Sequence, residues 1–156
     1  MESATDAADD KAEDSGRAAV ARGHLAFGWW SLLVFIALGA ILEGLHGLKL
    51  GLYLDSSNET RRLMWTLTHA HGTLFGLVHI AFALSLDRLS GMSKRSRERA
   101  SRCLYVGTIA MPLGFFLGGL FAYDGDPGLP VLLAPVGALL VFISVLQIAR
   151  ATRRSD

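Results

Sequence analysis

Glu43, His46, Arg62, Trp65, His69, His71 and His79 are side chains whose types and spacing suit chemistry in an apolar setting. Glu43 and His46, three apart, share a helix face. That Glu-x-x-His unit serves carboxylate di-iron bundles only when several such acids face each other. Glu43 is the one acid inside the long apolar stretches, so the ligand count fails. His69 and His71 point to nearly opposite sides at about 100° per residue, so a regular helix cannot offer both to one metal. The His69 face is more informative, for it also carries Trp65, Gly72, Gly76, Ile80 and, further outward, Arg62. Two glycines below a histidine leave a recessed strip about 10 Å long, on which a broad planar ligand can lie. An axial imidazole, an apolar strip and a cation for an acidic edge are what b-type haem needs. His69 is then the metal ligand, and Gly72, Gly76, Arg62 and Trp65 are the cofactor contacts. A plainer role fits the same spacing: His69 hydrogen-bonding across a helix interface, with the glycines serving contact alone.

The elements that must position these groups are membrane helices. Of 156 residues, 51% are hydrophobic and 19% charged, the net charge is +1, and mean hydropathy is +0.38. Leu25–Leu45, Leu63–Leu86, Leu104–Tyr123 and Leu129–Ile148 contain a single formal charge, Glu43. Each is close to the roughly 20 residues that cross a bilayer core. A soluble globular enzyme needs polar helix faces and is excluded. Near-neutral charge, with basic residues only flanking apolar runs, excludes a nucleic-acid surface. One cysteine, Cys103, excludes a disulfide framework or a Cys-rich metal site.

The expected fold is an all-α, antiparallel up-down bundle of four transmembrane helices over residues 24–150. A disordered acidic tail (1–23) precedes it and a basic tail (151–156) follows. The polar, acidic start does not fit a cleavable secretory signal. Twelve of the 15 Lys and Arg residues lie before Gly23, in the Arg88–Arg102 loop or from Arg150 onward. That bias puts both termini and the middle loop in the cytoplasm. Ser56-Ser57-Asn58-Glu59 reads as a capping box opening the second helix. Pro112 interrupts the third helix and favours a kink. Gly114 and Gly118 have the spacing of close helix packing.

With this topology Glu43, His46, His69, His71, Tyr123, Asp124 and Asp126 fall near the outer face. Ionisable groups at membrane depth are by default a functional hypothesis. His71, beside Phe75, Val78 and Phe82, reads as an interhelical or interfacial hydrogen-bonding residue. His79 lies deeper, level with Tyr105 and Gln147, and reads as a structural hydrogen-bonding group rather than a proton relay. Cys103 reads as inert, and Trp29 and Trp30 as interface anchors or core.

The stretch Thr68-His69-Ala70-His71-Gly72-Thr73-Leu74-Phe75-Gly76 resembles the second helix of small four-helix bacterial membrane proteins, the styrene oxide isomerases and hydroxylaminobenzene mutases. That helix carries a histidine followed by small residues and a glycine seven positions on, as His69 precedes Gly76. The mutase-type pattern adds a glycine three positions on, matching Gly72. The resemblance implies haem b on His69, held at a subunit interface of a homotrimer. The family's asparagine before the second glycine is Phe75 here. Its helix-three tyrosine finds Phe115 and Phe116, with Tyr105 and Tyr123 only at the ends. The haem-binding half of the pattern is thus better matched than the catalytic half. The His-Ala-His stretch is also similar to four-helix fragments akin to the haem–copper oxidase catalytic subunit.

The expectation is an integral haem b protein of the bacterial inner membrane, in contact with lipid and with a small apolar substrate entering from it. If it is an enzyme, it is a haem-dependent, redox-neutral isomerase of an epoxide or hydroxylamine, with Glu43 or His46 handling protons. His46 as a second axial ligand instead makes an electron-transfer or oxidase-associated site. The alternative is a non-catalytic membrane subunit whose histidines and glycines fasten helices.

Overall fold

The computed structural model describes residues 2–54, 59–89 and 91–153, with side chains from residue 11 onward except at 52 and 54. Among the described residues five α-helices follow in order: α1 (Glu2–Gly47), the short α2 (Gly51–Leu54), α3 (Glu59–Ser85), α4 (Lys94–Leu120) and α5 (Leu133–Thr152). Three-residue and four-residue 3-10 turns, Leu86–Arg88 and Leu129–Leu132, sit after α3 and before α5. Counting those turns, four spans among the described residues are long and apolar enough to cross a membrane: Lys11–Gly47, Glu59–Arg88, Lys94–Leu120 and Leu129–Thr152. The protein is an all-α, multi-pass membrane four-helix bundle, packed up and down in chain order with α1 on α3, α3 on α4 and α4 on α5.

The expected tail differs from what is seen. Residues 11–23 continue α1 as one helix, because Ala and the charged residues there favour helix and Pro is absent. They also gain partners. Val20 and Ala21 pack on the buried cluster Phe82, Leu86, Leu89, Met92, Ala100, Leu104 and Ala151. Glu13 reaches the buried Arg97 of α4 at 3.5 Å and Arg17 at 3.7 Å.

The turns follow local chemistry. α1 stops in a Schellman arrangement: Lys49 takes φ +51°, its N–H donates to the His46 carbonyl, and the Leu50 N–H donates to that of Leu45. After α4, Asp124 and Gly125 have φ of +52° and +86°, and Tyr123 and Asp126 exchange both backbone hydrogen bonds at 3.0 Å. This is the tight turn that an Asp-Gly pair favours. The Thr60 hydroxyl donates to the Gly125 carbonyl and ties the start of α3 to that turn. The expected capping box falls on residues 56–58, outside the described residues, save for Glu59, the first residue of α3. α4 is capped by the Ser93 side chain, which accepts from the Ser96 N–H, and it remains one helix through the buried Pro112.

Two close crossings organise the bundle. A methyl at Gly28 would lie 2.8 Å from the Gly76 carbonyl oxygen, and one at Gly137 would lie 2.6 Å from the Met111 nitrogen. Backbone meets backbone at both points, as small residues allow between membrane helices. Gly114 and Gly118 pack as expected, against Leu133, Ala134 and Val131 at the start of the last span.

Candidate functional site

The His69 face of α3 is covered by α1. The ring of Phe35 lies over Gly72, so a methyl there would come within 2.3 Å of it. A methyl at Gly76 would lie 3.1 Å from the Gly28 carbonyl oxygen and from the Leu32 side chain. His69 presses its ring on Gly39, and its Nδ1 donates to the Phe35 carbonyl at 2.7 Å. Trp65 turns to α4, where it donates to the Phe116 carbonyl at 3.3 Å and stands against Gly119. Arg62 donates to the Tyr53 carbonyl at 3.4 Å. The expected porphyrin strip is therefore corrected: Gly72 and Gly76 form a closed helix crossing, and a tetrapyrrole does not fit on them within this chain. The recess seen along one helix is the space the partner helix fills.

The other expected groups do not converge. Glu43 and His46 are exposed, and the His46 ring meets Tyr53 edge-on, with ring centroids 6.5 Å apart. His71 bonds within its own helix, to the Leu67 carbonyl at 2.9 Å, rather than across an interface as expected, and its ring lies beside Phe75 and, on α4, Phe115. Tyr123, at the turn, is 84% exposed. Among the described residues no three His, Cys, Asp or Glu side chains group as a metal site.

The residues that do come together are two fully buried histidines, His24 on α1 and His79 on α3. Their Nδ1 atoms are 2.7 Å apart. His24 Nε2 is 2.8 Å from the Ser101 hydroxyl, and His79 Nε2 is 3.2 Å from the Thr108 hydroxyl, both on α4. Tyr105, between those two on α4, stacks on His24 with centroids 4.3 Å apart, and Phe82 meets His24 edge-on. Every ring nitrogen of the pair thus has a partner inside the bundle. The crossing at Gly28 and Gly76 produces this: four residues back along α1 and three forward along α3 set His24 against His79.

The expected partners of His79 need correction. Tyr105 gives it a ring contact, while Gln147 bonds Ser96 and the Ile143 carbonyl. His24 is inconspicuous along the chain because it stands at the junction of the charged start and the first apolar run. A signal existed: His24 precedes Gly28 by one turn, on the same face as Ser31, Leu32 and Gly39.

On the other side of Thr108 lies a cleft of about 390 Å³ between α1, α3 and α4. Its walls are apolar, among them Phe27, Phe35, Ile109, Leu113 and Phe116, and its only side-chain polar groups are the hydroxyls of Ser31, Thr68 and Thr108. Val34, Ile109 and Leu113 on its rim are exposed, so the opening is lateral, toward the bilayer core. Phe27 belongs to both places, since it lines the cleft and lies 4.5 Å, centroid to centroid, from His79. A small apolar molecule fits such a volume, and its polar atom would find partners only among the hydroxyls. No family model, curated protein or solved structure matches the chain.

Proposed function

We propose that this membrane protein takes a small, predominantly apolar molecule sideways from the bilayer into the cleft between α1, α3 and α4. The carrying observation is the cleft itself: apolar walls, an opening at membrane depth, and three hydroxyls as its polar side chains. Phe27, Phe35 and Phe116 hold the apolar body and exclude water, while Ser31, Thr68 and Thr108 orient one oxygen or nitrogen. Redox-neutral isomerisation of such a molecule is the activity that the likeness to the small four-helix isomerases brings to this site. Glu43 and His46 do not border the cleft, so proton handling there falls to other groups. The Lys/Arg bias supports an inner-membrane protein of bacterial type with both termini in the cytoplasm.

The test is saturable binding of naphthalene to the full-length protein in lipid nanodiscs. Trp65 fluorescence in a Trp29→Phe/Trp30→Phe background is the readout, since Trp65 stacks on the cleft residue Phe116. Ile109→Phe/Leu113→Phe, which fills the lipid-side rim and adds no tryptophan, is expected to abolish saturation. Binding unaffected by that change overturns the reading.

One observation supports a second reading, in which His69 carries haem. Its Nδ1–H donates to a carbonyl, which leaves Nε2 as the nitrogen with the ligating lone pair. The resemblance to the small four-helix isomerases supports a haem held by His69 at an interface between copies of the chain. A Soret band lost in His69→Ala and kept in His71→Ala is the expected result; colourless protein from haem-replete cells ends this reading.

A further inference from the structure

The three hydroxyls of the cleft do not have equally free hydrogens. Ser31 donates to the Gly72 carbonyl at 3.3 Å, and Thr68 to the Met64 carbonyl at 2.9 Å. A hydroxyl has one hydrogen, so both offer the cleft lone pairs only. Thr108 is different, because its partner is an imidazole nitrogen, Nε2 of His79. When that nitrogen carries hydrogen, Thr108 accepts from it and its own O–H is released to the cleft. When it does not, Thr108 donates to it and the cleft has no side-chain donor.

The rest of the network decides between these states. An Nδ1···Nδ1 contact of 2.7 Å requires hydrogen on one ring and a lone pair on the other. Two neutral imidazoles joined in this way are opposite tautomers. With His24 donating, its Nε2 accepts from the Ser101 hydroxyl and His79 carries hydrogen on Nε2. With His79 donating, His24 Nε2–H donates to Ser101 and Thr108 donates to His79. Both arrangements satisfy the same four groups, and they differ only by hydrogens shifted along one line.

We propose that Ser101, His24, His79 and Thr108 form a proton relay that ends in the cleft and exchanges a proton with an oxygen or nitrogen of the molecule bound there. This rests on the cleft being a binding site. In the forward step Thr108 gives its O–H proton to the ligand atom and takes the Nε2 proton of His79. His79 Nδ1 takes the proton of His24 Nδ1, and His24 Nε2 takes that of Ser101. The half-buried Ser101, at the end of α4 nearest the basic loop, recovers a proton from water on that side. One proton enters, one leaves, and no group is oxidised or reduced. The seven residues from Ser101 to Thr108 span about 10 Å of helix, a distance the relay covers without water entering the cleft.

The test uses full-length protein with 15N-labelled histidine in nanodiscs, where nitrogen resonances distinguish N–H from lone-pair nitrogens. His24 and His79 are expected as opposite neutral tautomers, coupled through their shared hydrogen bond. The probe is 2-methoxynaphthalene, whose ether oxygen only accepts, compared with naphthalene. The ether is expected to shift the pair toward His79 Nε2–H and to bind about fivefold tighter than naphthalene. Both effects disappear in Thr108→Val, which removes the hydroxyl. Two rings in the same tautomer, or a bound ether that leaves both rings unmoved, overturns the relay. Failure of both aromatics to bind overturns the cleft reading, and with it any delivery to a ligand.

Discussion

His69 and His79 stand ten residues apart on α3, both meet α1, and their hydrogen bonds end differently. His69 gives its Nδ1–H to the Phe35 carbonyl, where the line stops because a carbonyl has no hydrogen to pass on. His79 meets a second imidazole, so the line continues to Ser101 on one side and Thr108 on the other. The difference lies in α1. At Gly39 the missing side chain lets the His69 ring reach backbone, whereas at position 24 a side chain with two nitrogens stands opposite. One residue type on one interface thus fastens in one place and can pass hydrogen in the other.

The largest effect is expected where both regions depend on one contact. Gly76→Leu drives a side chain into the Gly28 carbonyl and Leu32, and overpacking of this kind costs about 1–3 kcal/mol or more. Thermal unfolding in micelles, followed by circular dichroism, should show it. An unchanged midpoint would mean that α1 and α3 do not cross at these glycines.

His79→Leu comes next. It leaves the fully buried His24 without its Nδ1 partner, at a cost of about 1–3 kcal/mol. The double variant His24→Leu/His79→Leu should recover part of that loss, because the orphaned group is then gone. A double-mutant cycle measures the coupling; strict additivity would break the contrast with His69.

His69→Ala should cost less, about 1 kcal/mol, since an interhelical hydrogen bond in a membrane protein is worth little more than that. A loss as large as that of His79→Leu would make the two regions equivalent. Glu43→Gln should stay within about 0.5 kcal/mol by the same measurement, as its side chain is exposed.

Much of the fold was legible along the chain. Four charge-poor runs separated by charged or Asp-Gly segments read directly as spans, and the Gly114 and Gly118 packing followed from spacing. The extension of α1 was not legible. Six acids before Gly23 resemble a solvated tail until Arg97, Val20 and Ala21 are seen against the rest of the bundle. The recess at Gly72 and Gly76 was legible as a recess, but its occupant was not. One helix face with two glycines offers the same outline to a porphyrin and to the Phe35 ring. The His24–His79 pair was the least legible, because its members lie 55 residues apart and neither stands in a motif.

The amino-acid sequence alone determined that four helices cross a membrane, because transfer of each stretch into lipid depends on that stretch's own side chains. Tertiary structure decided which histidine meets which partner. That choice rests on the register of α1 against α3, where a slip of one turn, about 5.4 Å, would exchange every contact along the interface. The close crossing at Gly28 and Gly76 holds that register, and so brings His24 to His79 and closes the strip below His69.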